Sequence, residues 1–201
     1  MEFDVIIIGG GAAGMSCALI LGSAHEKEFA KNKRVGIIMH QKTSHLQTAL
    51  FNNVLGIPAG TPGAAILAEG PRQLAELYPE VVQIQKEKVK EIISDEVAFR
   101  VITNKNIFSA KEVVVAVGYT NSLTIKGLEE YVIPHKKTKA SKDRIQLKNE
   151  DNLVKPGLYV AGTLSGCRSQ FAIACGSGAS VATDILSGWS GEHTKVHDKL
   201  T

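Results

Sequence analysis

VIIIGGGAAG, from Val5 to Gly14, is the stretch that decides the fold. With Phe3 it makes a continuous apolar, β-branched run, the pattern of a strand buried on both faces. The run stops at glycines and passes into helical apolar spacing through Met15, Ala18, Leu19 and Leu21, predicting a helix from Ala12 to about Phe29. Gly9, Gly11 and Gly14 form GxGxxG at this strand-to-helix boundary. Gly9 permits the tight turn, Gly11 lets the backbone approach a phosphate, and Gly14 lets the helix pack closely on the strand. Ala12 and Ala13 open a helix whose unpaired N–H groups and positive dipole end suit an anion. RVGIIM, Arg34 to Met39, then reads as a second buried strand, and the βαβ unit requires the two strands to be parallel.

The chain of 201 residues has room for one domain with a sizeable core. Hydrophobic residues at 44% and charged residues at 21% are ordinary globular values and exclude a disordered chain. No apolar run is read as a membrane span, and Glu2 and Asp4 ahead of the first strand fit no signal peptide. A net charge of +3 is too small to argue for a nucleic-acid partner. The three cysteines, Cys17, Cys167 and Cys175, form neither CxxC nor a zinc spacing. That pattern implies a reducing, cytoplasmic setting and no metal site.

Further along, His40 to Gly60 reads as loop. Ala64 to Tyr78 reads as helical, with a kink or a split expected at Pro71, which has no N–H for the Leu67 carbonyl. Val81 to Ile84, Val89 to Ile93, Val97 to Thr103 and Asn106 to Phe108 read as short strands of a partly antiparallel layer. KEVVVAVG, Lys111 to Gly118, is another buried strand ending at glycine. HKKTKASKDR, His135 to Arg144, is a basic run expected to be a solvated connector. Ile145 to Leu147 and Gly157 to Ala161 resume the strand pattern. Ser169 to Leu186 is the last helix, and the polar tail beyond Gly188 is expected to be loosely held.

Three segments in order resemble the landmarks of FAD-dependent pyridine nucleotide-disulfide oxidoreductases, most closely the thioredoxin reductase-like branch. They are Gly9 to Gly14, VVVAVGYT at Val113 to Thr120, and GLYVAGT at Gly157 to Thr163. GIPAGTPGAAI, RQLAELYP and KEKVKEI are similar to further parts of that branch. The resemblance implies a three-layer α/β, Rossmann-like FAD-binding domain with a parallel sheet and a small antiparallel layer. It would span residues 1–188 as segments 1–127 and 145–188, joined by connector 128–144 and followed by tail 189–201. It also implies one FAD held between two segments of the chain: pyrophosphate at the first glycine loop, the flavin beside Gly118, and adenine at the Val89 backbone. The late strand end carries Gly162-Thr163 where the family has a GD pair. A threonine hydroxyl offers a hydrogen bond there but no charge. Ser169, Gln170 and Phe171 match the start of the helix that points at the flavin pyrimidine.

The departures bear on mechanism. No acid follows Met39 to take the ribose hydroxyls, so either His40 or Gln41 holds the ribose or it is not held. The family's NAD(P)H domain would fall where about twenty residues connect Gly127 to Ile145, and no CxxC exists. Cys167 and Cys175 are the weak candidates for redox thiols, with core packing the stronger reading for Cys175. The leading reading is a flavoprotein oxidoreductase reduced to its FAD domain, its electrons coming from NAD(P)H over an open flavin face, from a protein partner, or from a small-molecule substrate. A flavin-binding module without turnover, or a subunit of a larger redox assembly, is the alternative. An NAD-binding Rossmann dehydrogenase is a third reading that leaves the late motif unexplained. An uncovered flavin face also suggests a homodimer.

Overall fold

The computed structural model describes residues 1–40, 44–120 and 123–197. The chain begins with β1 (Glu2–Ile8), α1 (Ala12–Ser23) and β2 (Val35–Met39), and β1 pairs with β2 in parallel, Val5 opposite Val35. The helix ends six residues short of Phe29. Beyond Ser23 the polar HEKE segment has no face to bury, and the chain continues in turns closed by Lys27 N–H to Ala24 and Ala30 N–H to Lys27 bonds.

Next come β3 (Leu50–Phe51) and β4 (Thr61–Pro62), which pair with each other inside the segment expected to be mostly loop. They lead into α2 (Gly63–Leu77), one helix that continues across Pro71 rather than splitting there. β5 (Val82–Gln85) is parallel to β2, so this segment belongs to the main sheet and not to the antiparallel layer. β6 (Val89–Ser94) and β7 (Phe99–Thr103) form the antiparallel layer with the start of β8 (Ile107–Val115). The two strands read separately around Phe108 and Val113 are thus one. Its first half pairs with β7, and its second half enters the parallel sheet beside β1.

β9 (Val132–Pro134) and β10 (Ile145–Leu147) close the connector into a hairpin. β11 (Leu153–Lys155), β12 (Leu158–Val160) and α3 (Phe171–Ser190) complete the fold. The main path runs β11-β12-β8-β1-β2-β5, with β12, β8, β1, β2 and β5 mutually parallel.

Side-chain alternation divides the core. Val5, Ile7, Ile37 and Val114 pack beneath α1 and α3, while Ile6, Ile8, Val113 and Val115 pack against Val101, Phe108, Leu128 and Leu147 on the other face. Among the described residues α3 is long and apolar enough to suit a membrane span, which the sequence reading did not find. Its Val181, Ala182, Ile185 and Leu186 are buried against α1 and the sheet. α3 also runs past Gly188 to Ser190, so the start of what was expected to be a loose tail is helical. Trp189 donates its indole N–H to Glu112 at 3.0 Å and lies under the Lys33 ammonium.

Candidate functional site

The parallel strands β1, β2, β8 and β12 end on the same side of the sheet, and their exits form the floor of a cavity of about 860 Å³. That is the edge where parallel α/β sheets bind ligands, and the volume lies within the range of cofactor pockets.

Gly9 leaves β1 at φ +113°, and a Cβ there would lie 2.5 Å from the Ala116 carbonyl oxygen. Only glycine meets both demands. Gly14 faces away from the cavity: a Cβ on it would strike the Gly9 carbonyl, so its part is to seat the helix on the turn. At Gly11 an added Cβ would meet nothing within 4 Å. The open space above Gly11, Ala12 and Ala13 is the cavity itself. No side chain caps the N-terminus of α1 at Gly11. The first-turn N–H groups and the dipole are therefore available to an anion such as a pyrophosphate.

The second half of the site arrives through β12. Gly162 turns at φ +75°, with a Cβ there only 3.0 Å from that of Ala13, which brings the late strand end onto the first glycine loop. Its N–H donates to Ser177 Oγ at 2.9 Å. Thr163 lines the cavity, and its hydroxyl makes no hydrogen bond with another described residue. Ser169, Gln170 and Phe171 reach the wall where α3 begins. Its N-terminus is also uncapped by any side chain, and the Phe171 ring lies 4.9 Å from that of Phe51. Gly118, beyond β8, and Val89, at the start of β6, complete the set brought together here.

His40 lines the cavity and is exposed, whereas Gln41 lies outside the described residues. No acid follows β2, but one lies elsewhere in the wall, at Glu87 between β5 and β6. It is buried in the wall, but Oε2 accepts from Thr103 Oγ1 at 2.6 Å and Oε1 from Asn106 Nδ2 at 2.7 Å. Those bonds tie Glu87 to the β6–β7 layer and fix its carboxylate in the wall, each oxygen keeping a further lone pair.

Three further groups escaped the sequence reading. His45 and Tyr119 line the cavity with rings 5.9 Å apart, and Tyr119 also meets His135 at 5.4 Å. His135 is buried, accepts the Lys137 N–H on Nδ1 and donates from Nε2 to the Thr163 carbonyl at 3.1 Å. Its cavity-wall partner Thr163 is 28 residues away in the chain, which local pattern cannot show.

All three cysteines are free. Cys167 accepts a hydrogen bond from Ser165 at 3.3 Å. Cys175 stands apart from the main cavity, on the wall of a hollow of about 290 Å³ between α1 and α2. Burial pushes its thiol pKa up despite a hydrogen bond with Ser16, which disfavours the reactive thiolate. Burial, reinforced by Glu112, also raises that of Cys17.

A glycine loop and a late strand turn that close on one cavity at the ends of parallel strands define a dinucleotide-binding domain. The chain belongs to the pyridine nucleotide-disulphide oxidoreductase family, whose model matches residues 3–179. No curated protein matches the sequence. Among solved structures it is similar to an oxidoreductase from Agrobacterium tumefaciens, with 17% identity, TM-score 0.69, and coverage of 96% of this chain and 100% of that one. A thioredoxin reductase from Gloeobacter violaceus shares 15% identity at TM-score 0.71, covering 99% of both chains. A ferredoxin-flavin thioredoxin reductase from Clostridium acetobutylicum shares 17% identity at TM-score 0.67, covering 95% of this chain and 99% of that one.

Proposed function

We propose that this chain is an FAD-binding oxidoreductase domain of the thioredoxin reductase-like type. The observation that carries the reading is that α1 and α3 both open their uncapped N-termini into one cavity. The N–H groups at Gly11, Ala12 and Ala13 would hold the pyrophosphate, with the Val89 backbone at adenine and His40 at the ribose. The Thr163 hydroxyl supplies one hydrogen bond on the ribitol side. Gln170 and the start of α3 would sit at the pyrimidine end, where positive dipole potential favours an anionic reduced ring.

When bound, the flavin supplies two-electron redox chemistry. The protein contributes binding, orientation and this electrostatic bias. The chain carries no CxxC, so its acceptor would meet the cofactor without an internal dithiol. NADH, NADPH or a carrier protein is the electron source under this reading.

The test is anaerobic titration of the FAD-loaded protein. Bleaching of the flavin by NADH, by NADPH or by a reduced carrier protein supports an oxidoreductase. A bound flavin that none of the three reduces contradicts it.

A further inference from the structure

The basic connector holds more than the chain's entire net charge. Residues 135–144 contain Lys136, Lys137, Lys139, Lys142 and Arg144 against Asp143, so five minus one gives +4, and the whole chain is +3, leaving −1 for everything else. A merely solvated run needs no particular position. This one is anchored at the rim of the cavity.

His135 is buried and donates to the carbonyl of Thr163, a residue of the cavity wall. The Lys136 N–H donates to the buried Gln146 side chain at 2.9 Å. Arg144 lies 5.0 Å over the ring of Tyr119, another wall residue, and the Ile145 N–H donates to the Tyr119 carbonyl at 3.1 Å. The backbone of the loop is thereby held against the site, while Lys136, Lys137, Lys139 and Lys142 remain exposed. Arg168, also exposed, stands at the entrance to α3 on the same rim, two residues beyond Gly166, which packs on Gln146.

We propose that this rim is the docking surface of a small acidic electron-carrier protein. The proposal rests on the flavin reading of the cavity. Charge of one sign beside a redox site steers an oppositely charged partner and sets its orientation more than it adds raw affinity. With a one-electron carrier, two carrier molecules are oxidised for each two-electron reduction of the flavin, and the accompanying protons come from water. A nucleic-acid strand would need a longer positive track, and the rest of the chain nets −1.

The probes are two acidic carriers, a flavodoxin and a [2Fe–2S] ferredoxin, with binding to the full chain measured by calorimetry with and without FAD. At least one should bind, and raising salt from about 50 to about 300 mM should weaken it, because exposed charges are screened over a shorter distance. Lys137→Glu combined with Lys139→Glu should weaken binding about tenfold or more, since rim charges of the wrong sign repel the partner. Melting temperature and flavin content should stay unchanged. Lys142→Glu alone should show a smaller loss and keeps the test usable if the double variant does not fold. Failure of both carriers to bind at low salt overturns the proposal, as does unchanged affinity in the charge reversals. Tighter binding of phosphatidylglycerol vesicles or single-stranded RNA, lost in the same variants, would also overturn it. Flavin uptake without docking sinks the docking surface alone. Docking without flavin uptake sustains the surface and sinks the flavin reading.

Discussion

At the scale of single residues, neighbouring glycines of the first loop have separable duties. Gly11 has open space where a side chain would go, whereas Gly14 and Gly9 are enclosed by backbone. Gly11→Asp should therefore fold with little change in melting temperature yet lose flavin affinity by about 100-fold, because a carboxylate would meet the pyrophosphate at close range. Thermal melting and flavin titration of the same variant separate the two effects. Equal loss of stability and binding would contradict this division.

Glu112 offers a second prediction at this scale. Burial raises its pKa, against the Trp189 hydrogen bond and Lys33, which lower it. A carboxyl whose folded pKa is raised contributes stability that is fully present below its ordinary value of 4.5 and is lost as pH rises through the folded value. Glu112→Gln keeps an acceptor for Trp189 and removes the buried charge. It should raise the melting temperature by about 3 °C at neutral pH, with the gain vanishing toward pH 4. A gain that persists or grows in acid would refute the assignment. Val89, Gly118, Gly162, Thr163 and Gln170 were reached through the family resemblance, whereas the first glycine loop was legible from residue types alone, because GxGxxG states its own geometry. Glu87, His45 and His135 were not: each acts through partners distant in the chain, and nothing local distinguishes them from surface polar residues.

At the scale of elements, the packing of α1 on α3 aligns the two uncapped N-termini. Gly178 makes this contact possible, since a Cβ there would strike the Ala13 carbonyl. Gly178→Val should push the helices apart and cost about 3 kcal/mol of stability, as overpacking typically does. Unlike Gly11→Asp, it should lower melting temperature and flavin affinity together. Denaturant unfolding with and without FAD measures both. The strands β1, β2 and β12 and the second half of β8 could be read from continuous apolar runs, and the three long helices from apolar spacing. Their ends could not, because α1 stops where the buried face runs out and β8 continues through Ser109 and Lys111 by pairing with strands on either side. The parallel placement of β5 was also hidden. A four-residue strand looks the same whether it joins a parallel or an antiparallel partner.

At the scale of the whole molecule, the cavity exists only when segments from both ends of the chain meet: Gly11, Val89, Gly118, Gly162 and Gln170 share one wall. A ligand binding across that junction stabilises the fold as a unit. FAD at 100 times its Kd should add about 2.7 kcal/mol, seen as a concentration-dependent rise in melting temperature that adenosine alone does not reproduce. The connector, legible only as a charge run, proves to be a hairpin tied to Thr163 and Tyr119, so the late strand end and the basic rim are parts of one structure. The central claim is that this junction holds FAD, and the visible absorption spectrum of the purified protein after incubation with FAD and gel filtration tests it most directly. Flavin bands near one equivalent per chain are the predicted result. A colourless protein that retains none of the added FAD would contradict it.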